Sequence, residues 1–199
     1  MPLHIDPTNT ALLIMDYEPV ILGFLDDTAP LVESAARTAE VVRGAGGTVG
    51  FVRVGFTDAD YDGFPEGHIM GDRVKGSRPN MDADSPKTAL FEGLGVREGD
   101  IVVRKRRVSA FSTTDLHEQL TNAGVSTLIL AGAHTSGVVL TTVREAHDLD
   151  YRVVVLSDAC VDPDDSVHSF LVEKIFPKQA EVVETAEFIS ALTADVNAG

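Results

Sequence analysis

The sequence predicts a three-layer α/β/α fold, in which a six-stranded, mainly parallel, Rossmann-like sheet lies between two layers of helices. Short β-branched and aliphatic runs alternate along the chain with longer segments of helical period. This alternation is typical of parallel strands joined by helices that cover both faces of a sheet. A chain of 199 residues is long enough for one well-buried core and too short for two ordinary domains. We therefore predict a single domain over residues 1–199.

The strands are predicted from short apolar runs that are bounded on either side by turn residues. They lie near Thr10–Met15, Thr48–Val54, Asp100–Arg104, Ser126–Leu130, Arg152–Leu156 and, as a short last strand, Glu181–Val183. No run approaches the roughly 20 apolar residues that a bilayer span requires. We therefore predict no membrane anchor.

Between the strands, capping residues and apolar spacing predict the helices. Pro30 opens the first helix, and a cluster of glycines over residues 44–47 closes it. Ser112 and the threonines after it can cap the next helix. Further helices are predicted to begin near Thr135, at Asp162-Pro163 and at Thr185.

Residues 57–86 interrupt the alternation. This segment is rich in glycine, proline and aspartate and shows little periodicity, so we predict a long loop inserted between the second and third strands. Loops of this kind often cover an active site. A mobile surface insertion is the alternative interpretation.

Charge and cysteine content exclude some functional classes. The formal net charge of −15 repels phosphate backbones, and the one basic run, Arg104–Arg107, is local, so we predict no nucleic-acid partner. Cys160 is the only cysteine, which excludes an internal disulfide and fits a reducing compartment. The N-terminus carries no export signal, and we expect a cytoplasmic protein.

Polar residues at the carboxyl ends of the predicted strands are the first candidates for a site, because open parallel sheets bind ligands there. Asp16 ends the first strand, Lys105 ends the third, and the turn Gly132–Val138 joins a strand to a helix. The alternative interpretations are an aspartate that caps a turn and a lysine that is a solvated surface charge.

These segments resemble the isochorismatase-like (cysteine hydrolase) superfamily, in the family's order and over nearly the whole chain. Leu13-Ile14-Met15-Asp16 is similar to the strand motif that ends in the family's catalytic aspartate. Lys105, followed by Ser109-Ala110-Phe111, is similar to the lysine motif. Gly132–Thr142 resembles the turn that carries the nucleophilic cysteine, and Asp158-Ala159 resembles the pair after the next strand.

The departure from the family pattern lies at the nucleophile. Counted from Gly132 and Thr135, the cysteine position falls on Val138. The family's thiolate lies at a helix N-terminus that lowers its pKa, and valine can do neither covalent nor acid–base chemistry. Only the backbone N–H groups of Gly137 and Val138 remain as candidate oxyanion donors. The resemblance implies that a thiol is not always needed, since isochorismatases themselves have glycine there and use the aspartate as an acid.

We therefore predict a hydrolase of a small-molecule substrate, with Asp16 as acid or base and Lys105 as its electrostatic partner. Phe56, Phe111 and His134 are candidate pocket walls. The resemblance also implies a homo-oligomer, a dimer or tetramer. One alternative is a non-catalytic relative that binds a metabolite or a partner protein. A weaker one is a thiol hydrolase that uses Cys160, which we otherwise interpret as a packed small residue.

We predict no cofactor and no metal. Nicotinamidase relatives carry metal-binding Asp and His residues on the segment that corresponds to the inserted loop. The residues of that type in this chain are Asp58, Asp60, Asp62 and His68. Their spacing does not match the relatives' pattern, and we interpret them as a solvated acidic surface.

Overall fold

The computed structural model describes residues 3–198, with side chains up to residue 194, and contains one six-stranded sheet. Its strands are β1 (Thr10–Met15), β2 (Thr48–Val54), β3 (Ile101–Lys105), β4 (Thr127–Ala133), β5 (Arg152–Val161) and β6 (Glu181–Val183). Their order across the sheet is β3-β2-β1-β4-β5-β6, and every neighbouring pair is parallel. The predicted fold class is confirmed. The main difference lies in β4 and β5, which run beyond their predicted ends.

Eight α-helices lie among the described residues. They are α1 (Pro19–Leu22), α2 (Ala29–Gly44), α3 (Asp58–Asp62), α4 (Ile69–Gly76), α5 (Leu116–Asn122), α6 (Leu140–Asp148), α7 (Asp165–Phe170) and α8 (Thr185–Ala198). A π-helical turn, Thr135–Val139, leads into α6, and a second one, Leu171–Ile175, follows α7. Short 3-10 turns lie at Pro7–Asn9, Pro86–Thr88, Glu92–Leu94 and Phe176–Lys178. Between residues 3 and 198, no helix combines the length and apolar composition that crossing a bilayer requires.

Two apolar cores cover the two faces of the sheet. All six residues of β1 are buried, as expected of a central parallel strand. Leu13 and Met15 pack on one face with residues of α5 and α6, whereas Leu12 and Ile14 pack on the other face with residues of α2 and α8. Because successive side chains of a strand point to opposite faces, one run of aliphatic residues supplies both cores.

Residues 57–86 contain more structure than the sequence predicts, because α3 and α4 lie within this segment. A capping box formed by Thr57 and Asp60 starts α3. A third apolar cluster of six residues joins the segment to the end of β2: Val54, Phe56, Tyr61, Phe64, Val74 and Met81. The prediction of a loop without helices is therefore wrong. Both helices are too short to produce a recognisable period.

Candidate active site

Asp16 and Lys105 form a buried ion pair at the carboxyl edge of the sheet. Asp16 directly follows β1, and Lys105 is the last residue of β3. Lys105 Nζ lies 2.9 Å from Asp16 Oδ2, and the side chains are only 3% and 6% exposed. Since β2 lies between β1 and β3, the two side chains meet across its end. The structure thus brings together the two residues that the sequence singled out.

The backbone at Asp16 has a left-handed conformation, with φ of 59°. Aspartate is among the few non-glycine residues that adopt this region readily. The Asp16 N–H donates to the carbonyl of Val52 at 2.8 Å, which fixes the turn to the neighbouring strand. Residues in this region cluster at functional sites, where the surrounding structure enforces the conformation.

Burial raises the pKa of the Asp16 carboxyl, and the Lys105 ammonium opposes this effect in part. Asp16 Oδ1 is buried without a hydrogen-bond partner. Besides its ion pair, Lys105 Nζ donates to the carbonyl of Arg107 at 3.1 Å. The third N–H of the ammonium has no acceptor among the residues that the structure describes. The pair therefore has one carboxyl oxygen and one ammonium N–H without a partner among the described residues.

A cavity of about 350 Å³ lies beside the ion pair. The edge of the sheet contributes Asp16, Val54, Lys105 and Ala133 to its wall, and the turn after β4 contributes His134, Gly137 and Val138. Another part of the wall comes from α4 and the residues after it: Ile69, Met70, Arg73, Val74, Ser77 and Met81. Ile21 and Val108 complete the lining. Most of the lining is apolar, as expected of a small-molecule site.

The turn after β4 contributes an imidazole, a glycine and a valine to the cavity lining. The Gly137 N–H donates to the carbonyl of His134 at 3.0 Å, so it is not the free oxyanion donor that the sequence predicts. The Val138 N–H forms no hydrogen bond to a described residue outside its own helix. The His134 ring packs edge-on against Phe24, with 5.1 Å between ring centroids. The Ala133–His134 peptide bond is cis.

Residues 10–187 match the isochorismatase domain. The chain belongs to the isochorismatase family. The isochorismatase family protein YwoC of Bacillus subtilis, described as uncharacterized, is 32% identical over 187 residues, which cover 94% of this chain and 96% of YwoC. The ureidoacrylate amidohydrolase RutB of Methylobacterium radiotolerans is 30% identical over 213 residues, which cover 96% of this chain and 82% of RutB.

Solved structures agree with this assignment. An isochorismatase family protein from Burkholderia thailandensis superposes with a TM-score of 0.81 at 29% identity. The match covers 96% of this chain and 98% of that one. The resemblance stated from the sequence is thereby confirmed, and the chain is an isochorismatase-family hydrolase.

Two of the predicted pocket walls lie elsewhere in this family member. Phe56 is buried in the third apolar cluster, where its ring contacts Tyr61 and Phe64. Phe111 is buried in the core beside α5 and stacks on Tyr151, with 5.9 Å between centroids. Neither side chain lines the cavity beside Asp16, whereas His134 does.

Cys160 lies in β5, away from the cavity lining, and is 3% exposed. Its Sγ donates to the carbonyl of Leu130 at 3.8 Å, and burial raises the pKa of the thiol to about 12. The Nδ1 atom of His168 contacts Thr135 Oγ1 at 2.8 Å. The thiol is therefore neutral and inaccessible, which argues against a thiol hydrolase that uses Cys160.

The acidic residues of the inserted segment are engaged with arginines and with helix ends. The Asp60 carboxylate pairs with Arg104 and Arg106 at 2.7 and 3.1 Å. Asp58 pairs with Arg78, and His68 Nδ1 accepts from a backbone N–H of α4. Among the residues that the structure describes, no three His, Cys, Asp or Glu side chains form a group that could hold a metal.

Two features of the site and its surroundings were not predicted from the sequence. The first is α4, which contributes residues to the cavity lining. With eight residues, it is too short to show a clear helical period in the sequence. The spacing of its lining residues, with Arg73 and Val74 four residues after Ile69 and Met70, is the one available signal. The second is Glu18, a fully buried acid two residues after Asp16. Its sequence context, between Tyr17 and a proline, gives no sign of burial.

Proposed function

We propose that this isochorismatase-family hydrolase cleaves a small metabolite by non-covalent acid–base catalysis at Asp16 and Lys105. The proposal is carried by one observation: the ion pair of 2.9 Å lies on the wall of a cavity in which Val138 occupies the position that the family resemblance gives to the nucleophile. A carboxyl group and an ammonium are sufficient for proton transfer and charge stabilisation. A hydrocarbon side chain cannot form a covalent intermediate.

Two reactions are compatible with this pair. With an amide, Asp16 accepts a proton from water, the water oxygen attacks the carbonyl carbon, and the same proton passes to the departing nitrogen as the C–N bond breaks. With an enol ether, Asp16 donates its proton to the vinyl carbon, and water adds to the oxocarbenium ion and returns a proton to Asp16. The resulting hemiketal then breaks its C–O bond, which yields a carbonyl product and an alcohol. In the amide reaction, we assign the stabilisation of negative charge on the carbonyl oxygen to the third N–H of Lys105 and to the Val138 N–H.

The function can be tested by a screen of purified protein against four kinds of compound: ureidoacrylate and other ureido compounds, nicotinamide, simple amides and isochorismate. The relative RutB is named an amidohydrolase of ureidoacrylate, so ureido compounds come first. Product formation supports the proposal. A rise in melting temperature with a compound that yields no product favours the alternative, a relative that binds a metabolite without catalysis.

Arg73 suggests that the substrate carries negative charge. Its side chain lines the cavity and forms no ion pair with the residues that the structure describes, while the charge of Lys105 is matched by Asp16. Substituting Arg73 with glutamine should raise KM for a carboxylate substrate about 10- to 100-fold, the value of one charged hydrogen bond, with little change in kcat.

Lys75→Gln provides the matched control, because Lys75 lies exposed on the same helix and does not line the cavity. This variant should keep the wild-type KM. Equal effects of the two substitutions would mean that only the general charge of α4 matters. An unchanged KM in R73Q would reject Arg73 as a substrate contact.

Replacing Cys160 with alanine should leave turnover unchanged, because the thiol is neutral and does not reach the cavity. Kinetics of the C160A protein, checked for folding by circular dichroism, provide the measurement. A thiol reagent should label native Cys160 only after the chain is denatured. Loss of turnover in a folded C160A protein would restore the thiol hydrolase interpretation.

A further inference from the structure

Glu18 is a buried acid beside the candidate active site that the proposed chemistry does not use. It follows Asp16 by two residues and its side chain is fully buried, with 0% exposure. Glu18 Oε1 accepts a hydrogen bond from the Val54 N–H at 2.6 Å, while Oε2 is buried without a partner. A buried carboxylate with an unpartnered oxygen is costly unless it carries a proton.

The charged groups around Glu18 leave it without an ion partner. They are Asp16 at the end of β1, Arg53 on β2 and Lys105 at the end of β3. Lys105 pairs with Asp16, and the Arg53 guanidinium donates to the carbonyls of Ala83 and Thr88. Two buried carboxyl groups therefore adjoin a single buried ammonium, and a neutral cluster requires one of them to hold a proton.

The environments of Asp16 and Glu18 determine which of the two carboxyl groups holds the proton. Burial raises the pKa of Glu18 well above its usual range, and the nearby charge of Asp16 raises it further. The pKa of Asp16 is also raised by burial, but its contact with Lys105 opposes the shift. Asp16 is therefore the first of the pair to ionise, and Glu18 the second.

We propose that Glu18 is a positioning residue that acts through Asp16: it keeps its proton, so that the Lys105 ammonium is left to Asp16 alone. Loss of that proton at alkaline pH places a second carboxylate beside the ammonium and disturbs the ion pair. A purely structural role, satisfying the Val54 N–H, would be performed equally well by glutamine. The inference rests on the proposed function only for the catalytic role of the Asp16–Lys105 pair. The proton on Glu18 is a property of the protein without substrate.

The test follows the carboxyl carbons of ¹³C-labelled aspartate and glutamate by NMR as the pH is raised, in the wild type and in Glu18→Gln. We expect the Asp16 signal to show two steps in the wild type and one in E18Q. Asp16→Asn assigns the Asp16 signal, and E18Q assigns that of Glu18. A Glu18 signal that titrates at its ordinary value of 4.5 would overturn the proposal, as would an Asp16 titration that is identical in both proteins.

Thermal and urea unfolding of the same two proteins provide a second measurement. In the wild type the unfolded chain releases the Glu18 proton above pH 4.5 while the folded chain keeps it, so stability falls as the pH rises through that window. The folding equilibrium constant of E18Q, divided by that of the wild type, should therefore increase as the pH rises. The increase should approach tenfold per pH unit. A ratio that is independent of pH would contradict a retained proton. Neither measurement uses a substrate, so failure of the hydrolysis screen leaves this test intact.

Discussion

Substituting Asp16 with asparagine should lower kcat/KM by about 10²- to 10⁴-fold, the range typical of removing a general acid or base. Asparagine has the shape of aspartate and also tolerates a left-handed backbone, so the turn after β1 should persist. Its carbonyl oxygen can still accept a hydrogen bond from Lys105. What it lacks is the ability to accept and return a proton at the pH of the reaction.

Asp164→Asn is the matched control for this prediction. Asp164 caps the exposed helix α7 and does not line the cavity, so the same chemical change there should leave the rate unaltered. Steady-state kinetics at several pH values, together with circular dichroism of both variants, provide the measurement. Equal rates for D16N and the wild type would remove Asp16 from the mechanism.

Replacing Lys105 with methionine should destabilise the protein by about 3–5 kcal/mol at neutral pH, the cost typical of removing one partner from a buried ion pair. The cost arises because Asp16, buried in an apolar environment without a counter-ion, must take up a proton when the chain folds. Turnover should fall with it, since no ammonium then stabilises charge on the substrate.

The loss of stability in K105M should depend on pH in a defined direction. Without Lys105 to oppose burial, folded Asp16 holds its proton, whereas the unfolded chain releases it above the ordinary pKa of 3.8. The difference in the free energy of unfolding between the wild type and K105M should therefore grow as the pH rises above about 4, and it should be small below that pH. Urea denaturation across a pH series measures this. A difference of constant size would show that lost packing, rather than charge, is responsible.

The positions of Asp16 and Lys105 could be predicted from the sequence for a physical reason. Each residue ends an apolar run, and the strands of a parallel sheet place such ends at one edge. Their contact could not be predicted, because it depends on β2 lying between β1 and β3. That order is set by the packing of the whole sheet.

The residues that line the cavity were harder to predict, because a residue lines it only if its side chain points toward it. Phe56 and Phe111 lie near strand ends, but their rings point into apolar clusters and not toward Asp16. Several lining residues come from α4, which is too short for a periodic pattern. The burial of Glu18 could not be predicted because it depends on tertiary contacts, among them the hydrogen bond that its side chain accepts from the Val54 N–H.

One glycine supports the site through close packing. A Cβ at Gly132 would lie 3.0 Å from a methyl of Val139 and 3.2 Å from Met15 Cβ. The absence of a side chain lets β4 and the π-helical turn approach the end of β1 closely. Val138 of this turn lines the same cavity as Asp16 and Lys105.

Non-covalent hydrolysis is the central claim, and intact-protein mass spectrometry during steady-state turnover tests it most directly. We expect the chain to keep its unmodified mass while product accumulates, because the cavity presents Val138 and no accessible thiol. A substrate-derived mass on the protein, appearing and disappearing at the rate of turnover, would show a covalent intermediate and contradict the mechanism.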